Sequence, residues 1–548
     1  MPRRRLLVLA LAVAAVDSLS ACQPNVTQAS AATGAASSAT TGTGTGGGAA
    51  SSATTGTGAG ATSSATTGAG GAGAGGSGVG GVGAGGAGGD GNDVTGTLLD
   101  EYVLESSTKV IAMDLSAVTV EALRFAGGAW TAIPGHGKAD GTFRIPGVPP
   151  GPFTLHVGGV YLVTSERALD LGTTVQGRPG AWPAPPGNRS IIDDLKGMVP
   201  WKHQDYVEWF VANSGGSQVT GIVGGFPQPG DTTLSAKVVW SPNPVIESSK
   251  GDTLTVIQLA VAPSTPAANV TVTRRFVSLP GVTEVTPMPT QVSGTFQDVA
   301  LDRSVALDFR ASKFLAHGAE VNPAALAPHA SDVSLALTTL PGAAQHGFFG
   351  SSALLLNASM TTLADADLGV VHYGDPYPAS WGTVGVALAY VDVPLQVPGA
   401  SQPFDAYGTV EVLSDAATFG AGPIAPLVTP VLQPLVNGAT AFGPLQGITT
   451  TPTLSWSPPA VGAPTHYLVT LWPMVVLDGG VPQYPFVDAG AVQTSDTSVV
   501  IPPGLMAPGM MYYFVIQAMV VPGEKPDHPY RQGIHRASAD VITSVATP

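Results

Sequence analysis

The sequence contains a single cysteine among its 548 residues, Cys22, which excludes an intramolecular disulfide framework and zinc sites built from two or more thiolates. Charged residues make up only 11%, and 22 Lys and Arg against 37 Asp and Glu leave a net charge of −15. This charge opposes the attraction to phosphate on which nucleic-acid binding depends, so the sequence predicts no nucleic-acid partner. The apolar run from Leu6 to Val16 is about eleven residues long, too short to span a bilayer core of about 30 Å.

The common catalytic signatures are also missing from the sequence. It contains no His-Glu-x-x-His, no Gly-x-Ser-x-Gly, no Walker loop and no EF-hand loop. We therefore predict no cofactor and no catalytic residue, and a non-enzymatic role is the preferred interpretation.

The N-terminus has the pattern of a secretory signal. Three arginines, Arg3 to Arg5, precede the apolar run, and residues 1–21 form the predicted signal peptide. The run leads into Leu19-Ser20-Ala21-Cys22, which resembles the lipobox of bacterial lipoproteins. This resemblance implies a lipid on Cys22 that anchors the chain to a membrane. Because Gln23 follows in place of the Asp that retains some lipoproteins at the inner membrane, it favours the outer membrane.

A low-complexity segment, residues 22–92, begins at the cysteine. From Gln23 to Gly89 there is no Asp, Glu, Lys, Arg or aromatic residue, so nothing offsets the entropy of ordering the chain. We predict a disordered tether with a root-mean-square span of about 45 Å.

Beyond the tether, short runs of Val, Thr, Leu and aromatic residues alternate with Gly, Pro, Asn and Asp clusters, which predicts an all-β chain of several β-sandwiches. In the first section, residues 93–172, Asp140-Gly141-Thr142-Phe143-Arg144-Ile145 and the alternating Phe153, Leu155 and Val157 predict two strands. The pattern resembles the carboxypeptidase regulatory-like, transthyretin-type sandwich, a family of accessory modules, and the resemblance implies no site here. A Pro-rich linker is predicted at residues 173–189.

The last section, residues 428–548, has strand patterns around Thr453 to Ser457 and His466 to Trp472. Pro508-Gly509-Met510-Met511-Tyr512 then opens a strand with Phe514, Ile516 and Ala518 at period two, the pattern of a tyrosine corner. Together these features resemble a fibronectin type III domain. The resemblance implies a structural core with Trp456 as the core tryptophan and Tyr512 as the corner tyrosine. The long insert from Val475 to Val487 departs from the family pattern and is interpreted as a loop at one end of the domain.

The middle section, residues 190–422, carries about ten candidate strands with alternating or continuous apolar patterns. One large sandwich or jelly roll fits this pattern, and so do two small sandwiches. The candidates are Val207–Val211, Thr233–Trp240, Thr253–Val261, Val270–Val277, Val305–Phe309, Val333–Leu337, Ala353–Leu356, Gly369–His372, Thr383–Val393 and Thr409–Leu413.

Two acidic groups in the middle section are candidate metal or acid-base sites. His203, Asp205 and Glu208 are interpreted as a solvated strand edge, because Asp205 and Glu208 would point to opposite faces of a strand. The second group precedes an aromatic loop and is interpreted as a turn, with calcium binding or stacking of a sugar ring as the alternatives. Its carboxylates are Asp365, Asp367 and Asp375, close to His372. The tryptophans are interpreted as core or interface residues.

These patterns predict a surface-tethered β-sandwich lipoprotein that acts as an interaction, adhesion or envelope scaffold, with a membrane and a protein or carbohydrate surface ligand as partners. The alternative is an extracellular carbohydrate-binding protein or hydrolase with its site in residues 190–422. Both functional predictions rest on the β-sandwich architecture, and proteins with this architecture have many unrelated functions.

Overall fold

The computed structural model describes residues 92–182, 189–215, 217–219, 222–240, 243–262, 266–284, 288–347, 351–484, 489–531, 533 and 535–548. The signal peptide, Cys22 and the tether up to Gly91 lie outside these residues. About 49% of the described residues are in strands and 6% in helices, which confirms the all-β prediction.

The first section is a sandwich of two four-stranded sheets around one apolar core. Phe143, Ile145, Phe153, Leu155 and Val157 are all buried in that core, as their alternation predicts. A further three-stranded sheet lies beside them. The strands are β1 (Val94–Thr97), β2 (Leu99–Val103), β3 (Thr108–Ala112), β4 (Val120–Ala126), β5 (Ala129–Pro134), β6 (His136–Gly137), β7 (Thr142–Ile145), β8 (Phe153–Val157), β9 (Val160–Thr164), β10 (Ala168–Asp170) and β11 (Thr174–Gln176).

Strand pairing in the first section gives one sheet the order β10-β1-β7-β6 and joins β5, β4, β8 and β9 side by side. The third sheet has the order β11-β2-β3. Because β11 pairs with β2 in parallel, hydrogen bonding of this section continues to Gln176. Within the predicted linker, Arg178 is 9% exposed and its guanidinium pairs with Asp252 at 3.1 Å and Glu247 at 2.9 Å. These contacts fix the start of the linker to the middle section.

Among the described residues, the first half of the middle section contains nine strands and a second core, which includes the buried Trp201, Trp209 and Trp240. The strands are β12 (Ser190–Lys196), β13 (Tyr206–Val211), β14 (Ser217–Val219), β15 (Ile222–Gly224), β16 (Thr233–Leu234), β17 (Lys237–Val239), β18 (Leu254–Val261), β19 (Ala268–Leu279) and β20 (Thr290–Thr295). Strand β12 is the centre of a five-stranded sheet with β15, β16, β17 and β20. That sheet shares its apolar core with β13, β18 and β19.

The strands described in the second half of the middle section are β21 (Gln297–Asp298), β22 (Arg303–Phe309), β23 (Val333–Thr339), β24 (Ala353–Met360), β25 (Ala366–Tyr373), β26 (Thr383–Leu395), β27 (Phe404–Asp415) and β28 (Pro423–Ile424). Three of them form a separate small sheet in the order β25-β22-β28. Short helices are α1 (Ala311–Leu315), α2 (Gly318–Val321), α3 (Ala343–His346) and α4 (Ala416–Phe419), and single 3₁₀ turns cover Ala212–Ser214, Ser248–Lys250 and Ala330–Asp332.

The ten predicted strands of the middle section all coincide with observed strands, and only Thr233–Trp240 divides into two. The twelve-residue strand β19 contributes to two cores. Val277 lies in the core of Trp209, whereas Val270 and Val272 lie in a larger core that continues into the C-terminal section and includes Trp456.

The C-terminal section is a sandwich of two four-stranded sheets. Its strands are β29 (Leu432–Val436), β30 (Ala439–Thr440), β31 (Leu445–Gln446), β32 (Thr453–Ser457), β33 (His466–Val476), β34 (Pro482–Gln483), β35 (Gly490–Thr494), β36 (Ser498–Val500), β37 (Met511–Val520), β38 (Arg536–Ile542) and β39 (Ala546–Thr547). One sheet has the order β30-β29-β32-β36. The other joins β35, β33, β37 and β38 side by side.

Trp456 is 6% exposed and packs edge to face on Tyr467 at 5.1 Å between ring centroids. Tyr512 is buried, and its hydroxyl accepts a hydrogen bond from the backbone N–H of Ala507 at 2.9 Å. This bond to a residue five positions upstream has the geometry of a tyrosine corner. Phe514, Ile516 and Ala518 are fully buried at the predicted period of two.

Pairings between the sections join twenty strands of the described residues into one sheet. Strand β27 of the middle section pairs with β38 of the C-terminal section. Strand β9 of the first section pairs in parallel with β35. Backbone hydrogen bonds therefore cross both of these boundaries between sections.

Candidate functional site

Glu208 and Asp205, interpreted from the sequence as a solvated strand edge, are both buried, so that prediction is wrong. Glu208 on β13 is 0% exposed and accepts the backbone N–H of Leu354 at 2.9 Å. Asp205 accepts the backbone N–H groups of Lys202 and Val261, each at 2.9 Å. The physical reason is that buried backbone donors from neighbouring segments need acceptors, and the carboxylates supply them. His203 is exposed.

The second acidic group is divided between the two ends of β25. Asp365, before the strand, accepts hydrogen bonds from the backbone N–H and hydroxyl of Ser312 at 3.0 and 2.6 Å. Asp375, after the strand, lies 3.6 Å from the Arg303 guanidinium. An eight-residue strand between them spans about 26 Å, so these two carboxylates do not share a site. Asp367 caps the backbone N–H of Gly369 at 2.9 Å.

Within the described residues no group of three or more His, Cys, Asp or Glu side chains is arranged to hold a metal ion. In the same part of the chain no helix is long and apolar enough to cross a bilayer.

Glu208 and Asp375 both act electrostatically on the side chain of Tyr377, and Asp375 accepts the backbone N–H of Tyr377 at 3.1 Å. The Tyr377 ring stacks on Trp381 at 4.8 Å and meets Phe210 edge to face at 6.0 Å. Burial raises the pKa of Tyr377 well above its ordinary value, and the charges of Glu208, Asp375 and Glu105 raise this pKa further. Burial also raises the pKa of Asp375, against the opposing effect of Arg303.

This aromatic cluster joins the first section to the middle section. The Trp381 indole N–H donates to the backbone carbonyl of Glu105 at 3.3 Å, and the Glu105 N–H donates to the Asn213 side chain at 2.8 Å. A general acid or base must reach a substrate, whereas Glu208 is fully enclosed and a raised phenol pKa disfavours the nucleophilic phenolate. The cluster therefore acts in packing and not in acid-base chemistry.

We expect Tyr377→Phe to leave the stability of the chain unchanged or to raise it by about 1 kcal/mol. The buried Tyr377 hydroxyl has no hydrogen-bond partner among the described residues, so removing it removes a desolvation cost. Tyr373→Phe is the matched control, because the buried Tyr373 hydroxyl bonds to the Thr383 side chain and its loss should cost about 1 kcal/mol. Melting temperatures of the two variants compare them, and a lower value for Tyr377→Phe than for Tyr373→Phe would contradict the assignment.

A polar joint, made by Thr409, Glu411, Gln517, Arg536 and Asp540, lies where β27 meets β38. The Thr409 N–H and hydroxyl donate to one Asp540 oxygen at 2.9 and 2.7 Å, and the Gln517 amide donates to the other at 2.9 Å. Burial raises the pKa of Asp540, although these hydrogen bonds oppose the shift. Burial likewise raises the pKa of Glu411, and Arg536 opposes this. Polar groups held in this way specify one register between the two strands.

An aromatic joint, made by Phe404, Trp472, Tyr484 and Tyr513, lies beside the insert in the C-terminal section. Phe404 of the middle section meets Tyr484 at 5.7 Å and Tyr513 at 6.0 Å, while Trp472 contacts both tyrosines. The Ser401 N–H donates to the carbonyl of Gly480 at 2.8 Å. The insert predicted as a loop thus includes a hairpin, β33 to β34, that contacts the middle section.

Arg531 links the C-terminal section to the first section. Its guanidinium pairs with Glu101 at 3.0 Å and with Asp170 at 3.4 Å, and it donates to the carbonyl of Leu99 at 2.9 Å. Tyr530 packs against the core of the first section, and burial raises the pKa of its phenol. Sequence patterns did not indicate this contact. An arginine in a Pro-rich loop gives no local signal for partners more than 350 positions away.

Comparisons with known proteins add little to this description. No family model and no curated protein matches the chain. Solved structures with similarity include the FN1–FN3 domains of chicken CNTN1, 10% identical, with a TM-score of 0.12, covering 82% of this chain and 99% of that one. A tetra-tandem repeat from the extending region of a large adhesion protein is 12% identical, with a TM-score of 0.10 and the same coverage. TM-scores this low carry no argument.

Proposed function

We propose that the chain is a surface-anchored, non-enzymatic scaffold or adhesion lipoprotein, held through a lipid on Cys22 at the outer membrane. The observation that carries this proposal is the use of backbone pairing, in β9–β35 and β27–β38, to fuse sections into one body. A body fused in this way keeps its surface loops in fixed relative positions, which suits presentation of a binding surface. Its buried carboxylates bind backbone donors, threonine and arginine, so they are engaged in stabilising the fold.

Cys22→Ala should move the expressed protein from the detergent phase to the aqueous phase in phase partitioning. Two or three acyl chains would contribute about 0.8 kcal/mol per buried methylene, and the variant has no residue to carry them. Ser20→Ala is the matched control, since it keeps a small residue at the same motif and should partition as the wild type does. Equal partitioning of wild type and Cys22→Ala would rule out the lipid anchor.

The adhesion role is tested by attachment of cells that carry the wild-type chain, the Cys22→Ala chain or no chain to a solid surface and to one another. We expect attachment to be highest for the wild type and to fall to the level of cells without the chain when the anchor is lost. Attachment that does not depend on the chain would argue against adhesion, and turnover of a polysaccharide by the purified chain would favour a hydrolase.

A further inference from the structure

A cleft of about 610 Å³ lies on the C-terminal section, over strands β29, β30 and β32. Its size falls within the range of small-molecule sites, about 300 to 1,000 Å³. No charged residue lines it. The lining residues are Gln433, Pro434, Leu435, Thr440, Phe442, Ser455, Trp456 and Ser457.

Strand register places a row of side chains on one face of this cleft. Leu435 is paired with Thr440 on one side and with Ser455 on the other. Residues directly opposite each other in antiparallel strands project from the same face, about 5 Å apart. Across the sheet, the row therefore presents the Thr440 hydroxyl, the apolar Leu435 side chain and the Ser455 hydroxyl. The Ser457 hydroxyl lies 3.5 Å from the Gln433 side-chain oxygen and adds a second polar pair.

Gln433 enters the cleft from a strained backbone position. Its φ is +49°, and the register between β29 and β32 shifts between Leu432 and Leu435, which is a bulge. A non-glycine residue in the left-handed region costs about 1 kcal/mol or more, and bulges commonly redirect a side chain at a site. Glycine would fit this backbone at lower cost, so the amide is placed here against the local conformational preference.

We propose that this cleft binds a neutral saccharide of one or two sugar units. A charged ligand would lose hydration without meeting a counter-charge. Three hydroxyls and one carboxamide both donate and accept hydrogen bonds, which matches the hydroxyl groups of a sugar ring. Phe442, Pro434 and Leu435 offer apolar surface to its C–H face. This inference goes beyond the scaffold role, because the strand pairing that joins the sections does not require a ligand in the cleft.

The test uses the full chain in detergent on an array of neutral oligosaccharides of glucose, galactose, mannose and N-acetylglucosamine, with sialylated and sulfated glycans beside them. We expect the wild type to retain at least one neutral oligosaccharide. Gln433→Gly should weaken that binding about tenfold, the loss of one or two hydrogen bonds, without lowering the melting temperature, because glycine accepts positive φ. Ser457→Ala, which leaves the backbone unchanged, should weaken it at least threefold.

Asn437→Gly is the matched control. Asn437 also has positive φ, +50°, four residues along the chain, but it does not line the cleft, so its variant should bind as the wild type does. Retention of no neutral oligosaccharide, undiminished binding by Gln433→Gly and Ser457→Ala, or tighter retention of the anionic glycans would each overturn the proposal.

Discussion

Asp193→Asn is expected to stabilise the chain at pH 8.5 by up to about 4 kcal/mol and to have almost no effect at pH 4. Asp193 on β12 is 2% exposed, and both of its carboxylate oxygens accept the Trp209 indole N–H at 3.2 Å. Burial raises the pKa of Asp193 to about 7, although the bond from Trp209 opposes this. A pKa about three units above the ordinary value corresponds to about 4 kcal/mol.

The direction of the pH dependence follows from proton binding. Between about pH 4 and pH 7 the folded chain keeps the Asp193 proton that the unfolded chain releases, so the contribution of this group to stability falls as the pH rises through that window. Above pH 7 the fold holds a buried anion. An asparagine keeps an oxygen for the Trp209 N–H and carries no charge at any pH.

Urea unfolding at pH 4, 5.5, 7 and 8.5, followed by tryptophan fluorescence, measures the effect. Asp194→Asn is the matched control, because Asp194 is the next residue on the same strand but is exposed. We expect its difference from the wild type to be small at every pH. If Asp193→Asn were less stable than the wild type at pH 8.5, the buried carboxylate would contribute a hydrogen bond that the fold requires, and its charge would not lower the free energy of unfolding.

Trp456→Ala should lower the stability of the full chain by about 3 to 5 kcal/mol, the usual cost of removing a buried tryptophan. Domains of ordinary size have only about 5 to 15 kcal/mol in total, so this loss brings the C-terminal section close to unfolding. The core that contains Trp456 also includes Val410 and Val412 of β27, so the effect should extend into the middle section.

Trp472→Ala provides the comparison for Trp456→Ala. Trp472 is partly buried in the aromatic joint, and we expect a smaller loss of stability together with faster amide hydrogen exchange in β26 and the insert. Calorimetry and hydrogen exchange on both variants distinguish the two roles. A smaller melting shift for Trp456→Ala than for Trp472→Ala would place the main core of this section at the joint and not at Trp456.

Much of the fold could be predicted from local patterns, because a strand with one buried face imposes alternation on its own residues. Val305, Leu307 and Phe309 are buried in this way, and so are Val333, Leu335 and Leu337. Strand β12 was missed because Asp193 and Asp194 interrupt its apolar pattern. The first of these aspartates, Asp193, is buried and accepts a hydrogen bond from the Trp209 indole N–H, so a polar residue at this position belongs to the core.

The candidate sites were harder to predict, because their partners are distant in sequence. Glu208 is a typical surface residue by type, yet its acceptor role depends on the N–H of Leu354, 146 positions away. Asp365 and Asp375 looked like one group, and only the length of β25 separates them. The bulge at Gln433 depends on how β29 and β32 align, which residue types do not record.

The parallel pairing of β9 with β35 also bears on the order in which the chain can fold. Val160 pairs opposite Ala491, 331 positions later, and synthesis at about 5 to 20 residues per second separates the two by roughly 15 to 65 seconds. During that interval the first section has an open strand edge, with Tyr161 and Leu162 in its sequence, that can pair with another chain. Fragments that end before β35 should therefore be prone to aggregation, and a holding chaperone is most useful to this protein before β35 has been made.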